Sequence, residues 1–362
     1  MTSAQIMVTY GDKPRLMVKQ LLEQITPEQG LDQNALIGIK PNLVVPKPHT
    51  SGATTSPEIV AGIIEYFQAK GYRRIIILEG SWVGARTAEA FKICGYQDLA
   101  QTYGVPLIDL QQDKFQPYEA GGLQINVCRQ AMAVDYLINV PVLKGHCQTI
   151  MTCALKNLKG CIPNAEKRKF HSLGLHKPIA CLNKIRKQQL IIVDGLMGDL
   201  DFEEGGNPVR MNRIMAGTDP VLIDSYGAQL LGFDPKEIAY IGLAQQLGVG
   251  RIYQETDQII ELNRDAKLSQ PAARTGKVRA LARHIADRDA CSACYGSLIH
   301  ALARLQEQGE LSRLQEQIYI GQGYRNQVIN GAGVGACTRG CKSHLDGCPP
   351  TAKAMLEFLR KI

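Results

Sequence analysis

The stretch DYLINVPVLKGHCQTIMTCALKNLKGCIPNAEKRKFH, residues 135–171, decides how the rest of the chain is read. It opens with DYLINVPV, an almost wholly apolar run of the kind a strand buried on both faces requires, which ends at Pro141 and Gly145. A strand end there delivers Lys144 and His146. Over residues 148–158 the spacing predicts a helix, with Thr149, Thr152 and Lys156 three and four apart on one face. That face is polar and cationic.

Between residues 144 and 187 the chain holds ten Lys or Arg and a single acid, Glu166, a local charge of +9 in a protein whose total is +7. A charge run is commonly a solvated face. Here, however, Asn, Thr, Gly and His are interleaved with the lysines directly after a buried strand. The pattern points to an anion site lined by Lys144, Lys156, Lys159 and Lys167, with Thr149 and Asn157 beside them. His146 and His171 lie at the two ends of the segment. Neighbouring lysines disfavour their protonation, so both are candidate acid–base groups, neutral near pH 7. Each is equally readable as a brace that hydrogen-bonds its own loop.

Outward from this stretch, strand-like and helix-like segments alternate. Residues 35–40 (ALIGIK), 74–78 (RIIIL), 106–110 and 190–193 (LIIV) read as buried strands. Between the first two, Ser56 is placed to cap a helix with Pro57 at its first position, an apolar stripe of Ile59, Val60, Ile63, Ile64 and Phe67, and Gly71 at its end. Residues 87–103 read as helical with a break at Gly95. This order predicts an α/β fold, an open, mostly parallel sheet with helices on both faces, in which ligands sit beyond the carboxyl ends of the strands. Those ends carry Lys40 and Asn42, Glu79 and Ser81, and Lys144 and His146, so Lys40 and Asn42 join the candidate substrate-binding residues.

Residues 194–204 contain five acids, Asp194, Asp199, Asp201, Glu203 and Glu204, and no Lys or Arg. Two readings fit: a divalent cation, which takes oxygen ligands, or ion pairs with the basic segment upstream. Residues 211–216 read as a strand, and Asp219 as the N-cap of a helix running to Leu231. Asp224, one turn further in, is a candidate to face the site.

A chain of 362 residues with 45% hydrophobic content can bury a large core and is expected to form two domains. Residues 1–20 lack the apolar core of a secretory signal, and no run approaches the ~20 apolar residues of a membrane span. Eleven cysteines in a chain this long point to reduced thiols or metal ligands rather than a disulfide framework, and to the cytoplasm. The basic connector at residues 263–284 has no aromatic residue to stack on bases, which argues against a nucleic-acid partner.

Five of the cysteines, Cys291, Cys294, Cys337, Cys341 and Cys348, fall within 58 residues as CSAC, CTRGC and GCPP. A pair two residues apart ligates one centre from a single turn, and the distant thiols return to it through the fold. Zinc and an iron–sulfur cluster compete for such thiolates. Cys-Pro at the last ligand and the glycine-rich approach, read as a pliant loop at residues 321–335, favour a [4Fe–4S] cluster. The expected ligands are Cys291, Cys294, Cys337 and Cys348, with Cys341 spare. A helix at 293–305, a strand at 317–320 and a closing helix at 351–359 complete a small C-terminal α/β cysteine-rich domain.

The motifs KPNL (40–43), LKGH (143–146), ALKNLKG (154–160), VDG (193–195) and DPVLID (219–224), with His171, CSACYGSLIHAL and GCPPTA, together give the chain a family likeness. It resembles the prokaryotic iron–sulfur-associated family called domain of unknown function 362. The resemblance covers nearly the whole chain and implies a [4Fe–4S] protein of anaerobic metabolism, but it supplies no substrate. CTRGC, with its additional Cys341, departs from the family pattern. The expected organisation is an α/β domain at 1–265, a basic connector at 266–285 and an iron–sulfur domain at 286–362. Three functions follow: a redox enzyme acting on a small anionic substrate, served by an electron-transfer protein; an isomerase or racemase using His146 and His171 beside a structural cluster; or an electron carrier without a substrate.

Overall fold

The computed structural model describes residues 5–199, 203–205, 208–266, 277–290 and 292–362. The chain divides into two compact units, Met1–Lys167 with His176–Ala273, and Arg168–Leu175 with Arg274–Ile362.

The strands of the first unit are β1 (Gln5–Tyr10), β2 (Ile37–Pro41), β3 (Ile75–Glu79), β4 (Leu107–Asp109), β5 (Phe115–Ala120), β6 (Leu123–Cys128), β7 (Tyr136–Val140), β8 (Lys144–His146), β9 (Ile150–Thr152), β10 (Leu190–Asp199), β11 (Pro208–Gly217) and β12 (Gln258–Glu261). Eight of them form one sheet in the order β12-β1-β11-β10-β7-β2-β3-β4, while β5–β6 and β8–β9 are separate hairpins. From β10 to β4 the strands run parallel, and β11 lies antiparallel between β10 and β1. The sheet is thus mostly parallel, as expected.

Alternation along each strand sends successive side chains to opposite faces. Ile37 and Ile39, Ile75 and Ile77, Ile138 and Val140, and Leu190 and Ile192 enter one apolar core with the helices Pro14–Ile25 and Pro57–Ala69. Burying each such side chain contributes roughly 1.5–3 kcal/mol. Leu137, Asn139 and Ile191 therefore point the other way, where Asn139 Nδ2 donates to the carbonyl of Ala154 in the helix Ala154–Asn157. With both faces covered, the strands read as continuous apolar runs, which made them visible in the sequence.

Several expectations hold in detail. The break at Gly95 separates the helices Thr87–Ile93 and Tyr96–Tyr103. Asp219 caps Pro220–Leu230, accepting from the amides of Val221 and Leu222 at 2.8 and 3.0 Å.

Others are corrected. Residues 148–158 are not one helix: β8 and β9 form a hairpin, Ile150 takes a left-handed φ of 69°, and helical structure begins only at Ala154. The His146 ring accepts the amides of Gln148 and Thr149, so those N–H groups serve a side chain instead of a helix. Ser56 precedes its helix but makes no side-chain cap; its amide donates to Asp194 Oδ2 at 2.8 Å. The helix Pro14–Ile25 was not anticipated. On its outer side Arg15 pairs with Glu58 and Lys19 with Glu65, while Met17, Val18, Leu21 and Leu22 face the core.

In the second unit, β13 (Ile285–Asp287), β14 (Ile318–Ile320), β15 (Ile329–Val334) and β16 (Cys341–Leu345) form a parallel sheet in that order. The helices Ser292–Glu307 and Ala352–Leu359 pack together, and Thr351 Oγ1 caps the latter by accepting from Ala354 N at 3.1 Å. The glycine-rich segment 321–335 is only partly a loop, since β15 occupies its second half. A Cβ on Gly331 would lie 2.6 Å from the Tyr319 ring and one on Gly333 2.7 Å from Cys341 Sγ, so the neighbouring strands leave no room for side chains there.

Candidate functional site

From β2 the chain moves outward through β3 to β4, then returns on the other side of β2 as β7 and continues to β10. The strand order therefore reverses between β2 and β7, and the crevice beyond their carboxyl ends is where an open α/β sheet takes its ligand. Lys40 and Asn42 leave β2 at that edge, and Lys144 follows β7.

The floor of this region is a closed polar network. Lys40 Nζ donates to both carboxylate oxygens of Glu79 at 3.0 and 3.1 Å, to the Pro41 carbonyl at 3.0 Å, and lies 3.3 Å from Asn157 Oδ1. The amides of Leu43 and Gly80 complete the Glu79 carboxylate. Asn42 Nδ2 donates to Asn157 Oδ1, and Asn157 Nδ2 donates to Asn139 Oδ1, each at 2.7 Å. Gly160 makes this packing possible, since a Cβ there would lie 2.1 Å from Glu79 Oε1 and 2.7 Å from Lys40 Nζ. Lys167 Nζ donates to the carbonyls of Gly80 and Ser81, and burial pushes its ammonium down to about 8. Lys40, Asn157 and Lys167 thus direct their hydrogen bonds at the protein's own groups.

Above the floor lies a second cluster with a different character. His146 Nδ1 accepts from Gln148 N at 3.0 Å and Thr149 N at 3.1 Å. Its lone pair is therefore occupied, which puts the proton of the neutral ring on Nε2. Nε2 faces Glu203 Oε2 at 2.8 Å. The other oxygen of Glu203 pairs with Lys156 Nζ, which also contacts Thr152 Oγ1 at 3.2 Å. Lys144 Nζ donates to Asn42 Oδ1 at 3.0 Å, to the Ala53 carbonyl, and to the backbone carbonyl of Glu203 at 2.8 Å. Lys47 Nζ holds the next carbonyl, that of Glu204, at 2.8 Å. Thr149 Oγ1 turns back to the Met151 carbonyl and so braces the hairpin.

The electrostatics follow from this geometry. Burial, aided by Lys156, pushes His146 down to about 4, so the ring is neutral at pH 7. Burial likewise lowers Lys144 to about 7, against the pull of Glu203. Burial opposes ionisation of Glu203, yet Lys156, His146 and Lys144 together hold its carboxyl well below the usual carboxylate range. Burial and the neighbouring Glu203 raise Glu204. The Glu203 side chain is 18% exposed, against 0% for His146 and 3% for Lys156. Chemically, the cluster presents two different nitrogens to the two oxygens of one carboxylate, Lys156 Nζ as a hydrogen-bond donor and His146 Nε2 at close range without a hydrogen bond.

Glu203 is the residue that sequence reasoning did not assign to the site. Its signal was the uncompensated acid run facing an uncompensated basic run, and the ion-pair reading of that run holds for Glu203. Asp194 and Asp224 spend their carboxylates on backbone amides instead. Asp194 accepts from Ser56 and Leu196, with burial pushing it up to about 6. Asp224 accepts from Ala154 at 2.7 Å and Leu155 at 3.2 Å, with burial pushing it up to about 7. Asp224 therefore anchors the start of the ALKN turn. Lys159 is half-buried, and His171 falls in the second unit, on the helix Asn164–Ser172. Asp201 lies outside the described residues.

In the second unit, Gly335 takes a φ of 94°, and a Cβ on it would lie 3.5 Å from Cys294 Sγ and 3.8 Å from the Gly347 carbonyl. Ala336 N donates to that carbonyl at 2.8 Å. Cys294, the turn leading to Cys337 and the turn leading to Cys348 thus converge on one glycine, a bare-backbone approach that suits a sulfide-bearing cluster. Cys341 opens β16, its Sγ 2.7 Å from where a Cβ on Gly333 would be, and burial raises its thiol. Cys291 lies outside the described residues, and among those described no three His, Cys, Asp or Glu form a metal cage. Nor is any described helix long and apolar enough to cross a membrane.

A thylakoid-associated protein of Synechocystis sp. is 26% identical over 222 residues, 58% of this chain and 67% of that protein. Among solved structures, the lactate racemase apoprotein of Thermoanaerobacterium thermosaccharolyticum overlaps 66% of this chain and 56% of its own, at 15% identity and a TM-score of 0.38. A protein of Thermotoga maritima overlaps 66% of this chain and 60% of its own, at 14% identity and a TM-score of 0.39. This chain spans less than two thirds of either structure, and at such similarity neither bears on its activity. The family description "Domain of unknown function (DUF362)" matches residues 37–229, more than half of the sequence and the part that builds β2 through β11 with both lysine clusters, and the chain belongs to that family.

Proposed function

We propose that the protein is an iron–sulfur oxidoreductase acting on a small carboxylate, which binds where Lys144, His146 and Lys156 converge. The observation that carries this reading is the Glu203 carboxylate, one oxygen hydrogen-bonded by Lys156 Nζ and the other 2.8 Å from His146 Nε2. In this reading Lys156 and His146 orient the substrate's carboxylate, and Lys144 engages an oxygen further along it. The closed network around Lys40 and Glu79 keeps that edge rigid. A [4Fe–4S] cluster, held by Cys291, Cys294, Cys337 and Cys348, would supply one-electron transfer.

Iron, acid-labile sulfide and zinc analysis of anaerobically purified protein tests the cluster. Replacing Cys294, Cys337 or Cys348 by Ser is expected to abolish iron and sulfide content, whereas Cys341→Ser keeps both. Stoichiometric zinc without sulfide overturns the redox assignment.

One observation favours a second reading, proton transfer beside a structural cluster. His146 Nε2 lies 2.8 Å from the Glu203 carboxylate yet makes no hydrogen bond to it, so a ring nitrogen without a hydrogen-bond partner stands beside the carboxylate position. His171 has no part in this version. Turnover by a cluster-free Cys348→Ser variant would select it over the redox reading.

A further inference from the structure

Glu203 contributes more than a carboxylate to the pocket. While its carboxylate lies between His146 Nε2, at 2.8 Å, and Lys156 Nζ, which hydrogen-bonds it, its own backbone carbonyl accepts from Lys144 Nζ at 2.8 Å. The two carbonyl carbons of a glutamate residue are joined through Cγ, Cβ and Cα, which is the skeleton of glutarate. The pocket therefore already holds, end to end, a chain with an oxygen-bearing group at each terminus and an aliphatic spacer between them. A tetrahedral phosphate or a spherical halide matches neither the planar pair of oxygens nor the second contact at Lys144.

The position of this fragment is equally informative. His146 and Lys144 are sealed from solvent, and each keeps partners within the fold apart from Glu203: the hairpin amides for the ring, and Asn42 and Ala53 for the ammonium. Glu203 is the partly exposed member of the cluster. The receptor thus stays braced when the glutamate is withdrawn, as an empty binding site requires.

We propose that Glu203 is a resident stand-in for the ligand, and that the ligand is a glutarate-type diacid or an oxo acid of the same span, which displaces Glu203 and takes over its contacts with Lys144, His146 and Lys156. This rests on the carboxylate-pocket reading above and narrows it to a ligand class. A tethered carboxylate competes at high effective concentration, so removing it frees the site without creating any new contact.

The test is calorimetric titration of the anaerobically prepared full chain with glutarate, propionate and inorganic phosphate, using wild type, Glu203→Gln, Glu203→Ala and Lys156→Met. Wild type is expected to bind glutarate in preference to the other two. Both Glu203 variants are expected to bind it about tenfold more tightly, the effect of losing one charged contact, and Lys156→Met to lose it. Glu203→Ala, which leaves the backbone carbonyl on Lys144, should also gain propionate in the vacated carboxylate half. Equal binding of propionate or phosphate by wild type, or no gain in either Glu203 variant, overturns the stand-in and leaves the pocket reading intact. If none of the four proteins binds any of the three anions while their circular dichroism is native, the pocket reading falls as well.

Discussion

Lys40 with Glu79 and Lys156 with Glu203 are both lysine–carboxylate pairs at the same end of the sheet, and they are built in opposite ways. In the first, the carboxylate takes two backbone amides besides the lysine, the lysine takes a carbonyl and an asparagine oxygen besides the carboxylate, and Gly160 lets the backbone close over both. In the second, the carboxylate arrives from residue 203, far along the chain, and stays partly in water. A buried cation enclosed by the fold's own backbone is scaffolding, whereas one answered by a partly exposed side chain from elsewhere is a place where another molecule's carboxylate can bind. Charge and burial alone do not separate the two cases; the identity of the partner does.

The largest effect should come from breaking the scaffold pair. Removing one member of a buried ion pair strands the other, so Lys40→Met or Glu79→Gln should cost about 3–5 kcal/mol of stability in urea unfolding. A loss as small as that of a surface pair would place both pairs in one class. Lys156→Met should instead spare the unfolding midpoint and weaken carboxylate binding by about 1.5–3 kcal/mol, while the exposed Lys184 and Lys187 are neutral. Equal, small effects at all of these positions would favour a solvated basic face.

The comparison is sharpened by proton occupancy. With His146 pushed down to about 4, its ring should remain the neutral Nε2–H tautomer from pH 8 to about 5 in nitrogen NMR, and a midpoint near its ordinary ~6.5 would contradict the sealed geometry. The last effect concerns Asp224. Its folded-state pKa of about 7 lies above the unfolded value of ~3.9, so its contribution is fully present below pH ~4 and is lost as pH rises through 7. Asp224→Asn should flatten that decline relative to wild type, and parallel pH–stability curves for the two proteins would show that the group does not titrate in this window.

Much of this was legible in the sequence, for a physical reason: the central strands are buried on both faces, so their apolar runs are unbroken, and the polar residues that end them stand out. The antiparallel entry of β11 was not legible, because a strand's direction leaves no mark in its composition. The segment after β7 was misread because Thr149, Thr152 and Lys156 share a helical spacing by coincidence. What decides that segment is a side chain, His146, accepting two amides that a helix would have used. Glu203 could be seen only as one acid among five. Which of them meets Lys156, 47 residues away in sequence, is a tertiary pairing that local pattern does not encode.

Arg168–Leu175 lies within the first unit's stretch of sequence yet belongs with the second unit, and Phe170 within it is fully buried. The consequence concerns how such a gene can be cut and shuffled. A chain truncated at the basic connector would keep this segment and lose the rest of the unit it belongs to. The cysteine module expressed alone would lack eight of its own residues. The two units are therefore not separable cassettes: a recombination event that exchanged one at the connector would carry a fragment of the old partner along, and lineages should gain or lose the pair together.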